Sequence, residues 1–101
     1  MLNQTILVGR VKEIHKNGLE DEMSLTLCIP RAYKNAEGTY DNDFIPVYIK
    51  GETMVENAGD YLHKGDIVGI KGKIEADCLF LKIIAEKVTF LSGRNNEDEE
   101  A

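Results

Sequence analysis

At 101 residues, with 43% hydrophobic and 30% charged side chains, the chain has room for one domain and one core, which argues against an enzyme with separate cofactor and substrate halves. Its net charge of −6 is not by itself the signature of a nucleic-acid binder, and half of that charge sits in residues 94–101, which carry one arginine and four acids. The two cysteines, Cys28 and Cys78, fit no metal-ligand spacing and point to a reducing compartment rather than a disulfide scaffold. Ile6-Leu7-Val8, the longest apolar run near the N-terminus, is too short for a signal peptide or a membrane span. These features predict a soluble, cytoplasmic single domain.

Thr5 to Val11 is rich in β-branched residues and reads as a first strand that continues through Ile14, with Gly9 as its bulge or bend. Lys16 to Glu22, with Asn17-Gly18 inside it, marks a turn. Met23 to Ile29 alternates with a period of two, putting Leu25, Leu27 and Ile29 on one face, and Pro30 is expected to stop this second strand. Arg31 to Asp43 reads as a polar loop or hairpin around Asn35-Ala36-Glu37-Gly38. In the third strand, Phe44 to Lys50, Ile45, Val47 and Ile49 form the core face. Phe44, Pro46, Tyr48 and Lys50 point the other way, where a merely solvated face would be polar throughout.

Glu52 to Lys64 is the one helix candidate, with Val55, Ala58 and Leu62 at helical spacing and Gly65 in the C′ position. Asp66 to Ile74 gives a fourth strand, with Val68, Ile70 and Ile74 facing one way and Lys71 and Lys73 the other. Leu79 to Leu91 is a long fifth strand with a bend expected near Ala85. Ser92 to Ala101 is polar and acidic, so the expected division is a domain over residues 1–93 and a disordered tail over 94–101. Five strands with one helix between the third and fourth is the layout of the all-β OB-fold, a five-stranded Greek-key barrel.

Several segments resemble bacterial single-stranded DNA-binding proteins. Leu7-Val8-Gly9-Arg10-Val11 resembles their opening strand, and Asp43-Phe44-Ile45-Pro46-Val47-Tyr48 their third. Val55 to Asp66 is similar to their helix and its Tyr-Leu-x-Lys-Gly exit, while Lys71-Gly72-Lys73-Ile74 and Ile83 to Leu91 match the last two strands. The resemblance covers residues 1–93 and rests on the order and spacing of the pieces. It implies sequence-tolerant binding of single-stranded DNA in replication, recombination or repair, a homotetramer, and partner proteins of the same processes, with neither membrane nor cofactor. It places Phe44 where a stacking tryptophan is usual, Tyr33 near a second one, and Lys50 where many members carry an outward phenylalanine. Only Glu75-Ala76-Asp77-Cys78 remains of a loop that is longer in most members, and the acidic tail lacks the family's hydrophobic tip.

Binding single strands without reading sequence requires exposed rings for bases to stack on and cations to follow the phosphates. The expected rings are Phe44, Tyr48 and Tyr33, and the expected cations are Arg10, Arg31, Lys34, Lys50, Lys71 and Lys73. Six of these have a plainer reading beside them. Phe44 and Tyr48 could pack on a neighbouring subunit, Tyr33 could cover the core edge, Lys71 and Lys73 could be ordinary solvent-side lysines, and Arg10 could serve a subunit interface. Tyr40 reads as structural or solvated. Tyr61 and Leu62 read as core, Met23 and Met54 as packing, and His15 and His63 as solvated residues of a loop and a helix end. No phosphate-binding glycine loop, GxSxG, HExxH or CxxC motif is present, which argues against catalysis. The alternative functions are a protein-interaction module that has lost DNA binding and an RNA-binding OB-fold. With one outward aromatic replaced, a shortened loop and no tryptophan, weaker binding than in typical family members is expected.

Overall fold

A computed structural model describes residues 1–16 and 21–93. The turn expected at Asn17-Gly18 and the tail from residue 94 lie outside the described residues. The elements run β1 (Thr5–Lys16), β2 (Glu22–Lys34), β3 (Tyr40–Lys50), α1 (Glu52–Tyr61), β4 (Ile67–Asp77) and β5 (Phe80–Ser92). The strands close into a barrel in the order β1-β2-β3-β5-β4, which is the expected OB-fold.

Strand β1 serves two neighbours in turn. Thr5 to Arg10 pair with β4, and Arg10 to Lys16 pair with β2. The barrel closes where β3 meets β5 in parallel, at Val47 with Ile83 and Tyr48 with Ile84. Alternation then fills the interior: Val11, Met23, Leu25, Leu27, Val47, Ile49, Val68 and Ile70 are fully buried. Each such side chain contributes roughly 1.5–3 kcal/mol relative to exposure. Helix α1 packs Val55 and Ala58 onto this core, joined by Leu62 just past its end, and Met54 lies against it. Among the described residues no helix is long and apolar enough to cross a membrane.

Five local expectations are corrected. Pro30 does not end β2, because β2 pairs with β1 only as far as Cys28; beyond that it runs with β3 alone, and a proline is tolerated on the open edge of a two-stranded arm. The β1 bulge is at Lys12, where the register shifts between Val11 and Glu13. Gly9 instead marks a close approach, since a Cβ there would lie 2.7 Å from Ile29 Cγ1. The helix stops at Tyr61 with Leu62 extended as its cap, so Gly65, at φ 93°, belongs to the turn into β4 rather than to the helix C′ position. Tyr61 is exposed, although Leu62 is buried as expected. His15 lies within β1, not in a loop, because that strand runs to Lys16.

The bend expected near Ala85 appears as a register shift in which Glu86 is the extra residue, and a second shift leaves Leu91 unpaired. Ile74 shares the inward parity of Val68 and Ile70, yet it stays partly exposed because β4 and β5 run on past the barrel as a hairpin.

Candidate nucleic-acid interface

With Ile45, Val47 and Ile49 turned inward, alternation along β3 sends Tyr40, Asn42, Phe44, Pro46, Tyr48 and Lys50 to the outer face. Tyr40 and Phe44 are more than half exposed, and Tyr48 is half-buried. The three rings are four residues apart, which at ~3.3 Å per residue puts about 13 Å between neighbours.

Directly paired residues on adjacent strands share a face. Phe44, Pro46 and Tyr48 are opposite Cys28, Thr26 and Ser24 of β2, which are small and half-buried. Beyond them, Arg10 is opposite Cys28, Glu13 opposite Thr26, and His15 opposite Ser24, with His15 Nε2 3.3 Å from Glu13 Oε2. The result is a shallow trough: β2 is its floor, the β3 aromatics form one side, and the polar row of β1 forms the other.

Each ring on β3 has a lysine over it. Lys12 Nζ of β1 is 5.7 Å from the Phe44 centroid, Lys34 Nζ of β2 is 5.9 Å from that of Tyr40, and Lys82 Nζ of β5 is 5.5 Å from that of Tyr48. These are cation–π distances. The aromatic row is therefore also a cationic row, despite the acidity of the chain as a whole.

The other expected residues are distributed unevenly. Lys50 is on the outer face at the end of β3, opposite Glu22. Lys73 shares a row with Tyr48 through Ile84, which is in register with both, and its Nζ is 3.2 Å from Glu75 Oε2. Lys71 lies between Ile6 of β1 and Lys87 of β5 and is not brought to the trough. Arg10 borders the trough, with Nη1 donating to the Gly65 carbonyl at 2.7 Å. Tyr33 is exposed on the arm, in the stretch where the β2–β3 register is irregular.

Arg31 is engaged elsewhere. Its Nε and Nη2 donate to the Asp43 carboxylate, which alternation puts on the face opposite Phe44. Hydrogen bonding to Asp43 raises the Arg31 pKa above its ordinary value, and the same bond holds the Asp43 carboxyl below its own.

Sequence reasoning missed Lys12, Lys82 and the alignment of Tyr40. Counting back by twos from Phe44 would have found Tyr40. Lys12 was out of reach because its placement depends on the bulge, and Lys82 because it depends on the parallel β3–β5 register.

A match to the single-strand binding protein family spans residues 2–79. The chain belongs to that family. Among its relatives, single-stranded DNA-binding protein 2 of Staphylococcus aureus (strain COL) is 32% identical over 113 residues, covering 98% of this chain and 80% of that one. Single-stranded DNA-binding protein 1 of Clostridium acetobutylicum is 29% identical over 108 residues, covering 92% and 96%. Among solved structures, the Plasmodium falciparum family protein in complex with single-stranded DNA superposes with a TM-score of 0.69 at 20% identity, covering 91% of this chain and 96% of that one. At that identity the likeness is one of fold. In this family member the trough falls on the outer face of strands 2 and 3, the face on which OB-folds take oligonucleotides.

Proposed function

We propose that this chain binds single-stranded DNA without reading its sequence, stacking bases on Phe44, Tyr48 and Tyr40 and meeting phosphates with the lysines beside them. The observation that carries this reading is the line of three outward rings on one strand, each attended by an ammonium. Every base has a face to stack and every nucleotide a phosphate, so such a row needs no base-specific contacts. Membership in the single-strand binding protein family supports the same reading. The role is binding, with no covalent step, in DNA replication, recombination or repair. Its proposed compartment is the cytoplasm, consistent with two free thiols at Cys28 and Cys78.

We further propose that the chain works as a homo-oligomer, a tetramer as in the family it resembles. Ile6, Val8 and Leu91 are all exposed on the outer face around Gly69, an apolar surface away from the trough and suited to a second copy.

The test is fluorescence anisotropy of a labelled oligo-dT across a salt series, with Phe44→Ala alongside. Binding that weakens as salt rises, and that drops with loss of the ring, is expected. Absence of binding even at low salt would overturn the reading and assign the rings to a protein interface.

A further inference from the structure

The three rings of β3 are not vacant platforms, since each carries an ammonium 5.5–5.9 Å from its centroid. We infer that Lys12, Lys34 and Lys82 are exchanged on binding: an incoming base takes the ring, and the released ammonium moves to the adjoining phosphate. The inference rests on the single-stranded DNA reading above and adds to it a set of residues and the order in which they engage.

The path of Lys12 is the strongest support. It starts on β1 and its ammonium comes within 5.7 Å of the centroid of a ring on β3, two strands away at about 4.8 Å per strand, so its side chain reaches out over the β2 floor. Lys12 thus overhangs the trough, and a base that stacks on this side of Phe44 takes the place of its ammonium.

The hold on these lysines is also weak. Among the described residues neither Lys12 nor Lys34 has an ion-pair partner, and Lys82 has only Asp77, with Nζ and Oδ2 3.9 Å apart. An exposed ammonium over a ring gives up little when a phosphate is offered in its place. Each ring with its cation pairs a surface for a base with a charge for a phosphate, the two groups that every nucleotide of a single strand presents.

Each lysine then has two opposed effects on affinity: it competes with a base for the ring, and it attracts the phosphate. Salt weakens the second far more than the first, because the phosphate contact includes release of condensed counterions. The binding lines of wild type and of a lysine-to-glutamine variant should therefore cross.

The experiment measures oligo-dT affinity for wild type, Lys12→Gln and Lys82→Gln. Between about 0.05 and 0.2 M salt each variant is expected to bind several-fold more weakly, with the slope of log K against log salt shallower by about 0.7 per lysine removed. Near 1 M salt, where the screening length is about 3 Å, each should bind as tightly as wild type or more tightly. As a second readout, the Lys12 ε-methylene protons should be ring-shifted upfield in the free protein and lose that shift when oligo-dT is added. Parallel salt lines, or an upfield shift that persists in the complex, would overturn the exchange. If wild type binds and Phe44→Ala weakens it while the lines stay parallel, only the exchange fails. If wild type does not bind oligo-dT at any salt, the single-stranded DNA reading fails and the exchange with it.

Discussion

Arg31 clamps Asp43 across the arm, with Nε 3.2 Å and Nη2 3.0 Å from the same carboxylate oxygen. The clamp ties β2 to β3 just where β2 has left its β1 partner, so it holds the arm that carries Tyr40 and Lys34. Because hydrogen bonding from Arg31 lowers the Asp43 pKa, the stabilisation is fully present above the unfolded value of about 3.9 and is lost as pH falls through the lower folded value. An NMR titration of the Asp43 carboxyl carbon should give a midpoint below that of an ordinary aspartate. Arg31→Gln should return it to the ordinary range and lower amide protection in the arm, while leaving the barrel strands protected.

Tyr40 sits at the far end of the ring row. Its loss should be felt only by strands long enough to reach the arm. Tyr40→Ala is expected to cost about 1–3 kcal/mol in binding a long oligo-dT and almost nothing with one that spans only Phe44 and Tyr48. Titrations with a length series of oligonucleotides would check this. An equal loss at every length would count against Tyr40 as a stacking position.

Gly72 of β4 lies so close to the Ile84 carbonyl of β5 that no Cβ fits between them. Ile84 is in register with Tyr48, so the contact also bears on the trough. Gly72→Ala should destabilise the protein by about 1–3 kcal/mol, through a forced shift of backbone rather than of a flexible side chain. A lower urea midpoint would show it, and any protein that remains folded should bind oligo-dT less well.

Cys78 forms half of the two-residue turn between Asp77 and Phe80, at φ 53° and exposed. That region is costly for a residue with a Cβ and free of that cost for glycine. Cys78→Gly should raise stability by up to about 1 kcal/mol in chemical denaturation, whereas the β-branched Cys78→Val should lower it.

Much of this protein could be read from local pattern, because side-chain alternation is a property of consecutive residues. The inward set Leu25, Leu27, Val47, Ile49, Val68 and Ile70 and the outward placement of Phe44 and Tyr48 follow from a period of two, and the helix follows from Val55, Ala58 and Leu62. With the order of elements, these were enough to name the barrel.

What local pattern left open was decided by contacts between residues far apart in the chain. Alternation puts Lys71 and Lys73 on one side of β4, but only the pairing with β1 and β5 sets the first beside Ile6 and the second in the row of Tyr48. One extra residue in β1 brings Lys12 to the outer face, and the parallel closure of β3 against β5 brings Lys82 to Tyr48. Pro30 stays within its strand because β1 parts from β2 beyond Cys28 to pair with β4, which leaves that edge open. Register, bulges and open edges come from the closing of the sheet, so the sequence determined the barrel and its ring-bearing strand, while only the tertiary structure decided which cations meet those rings.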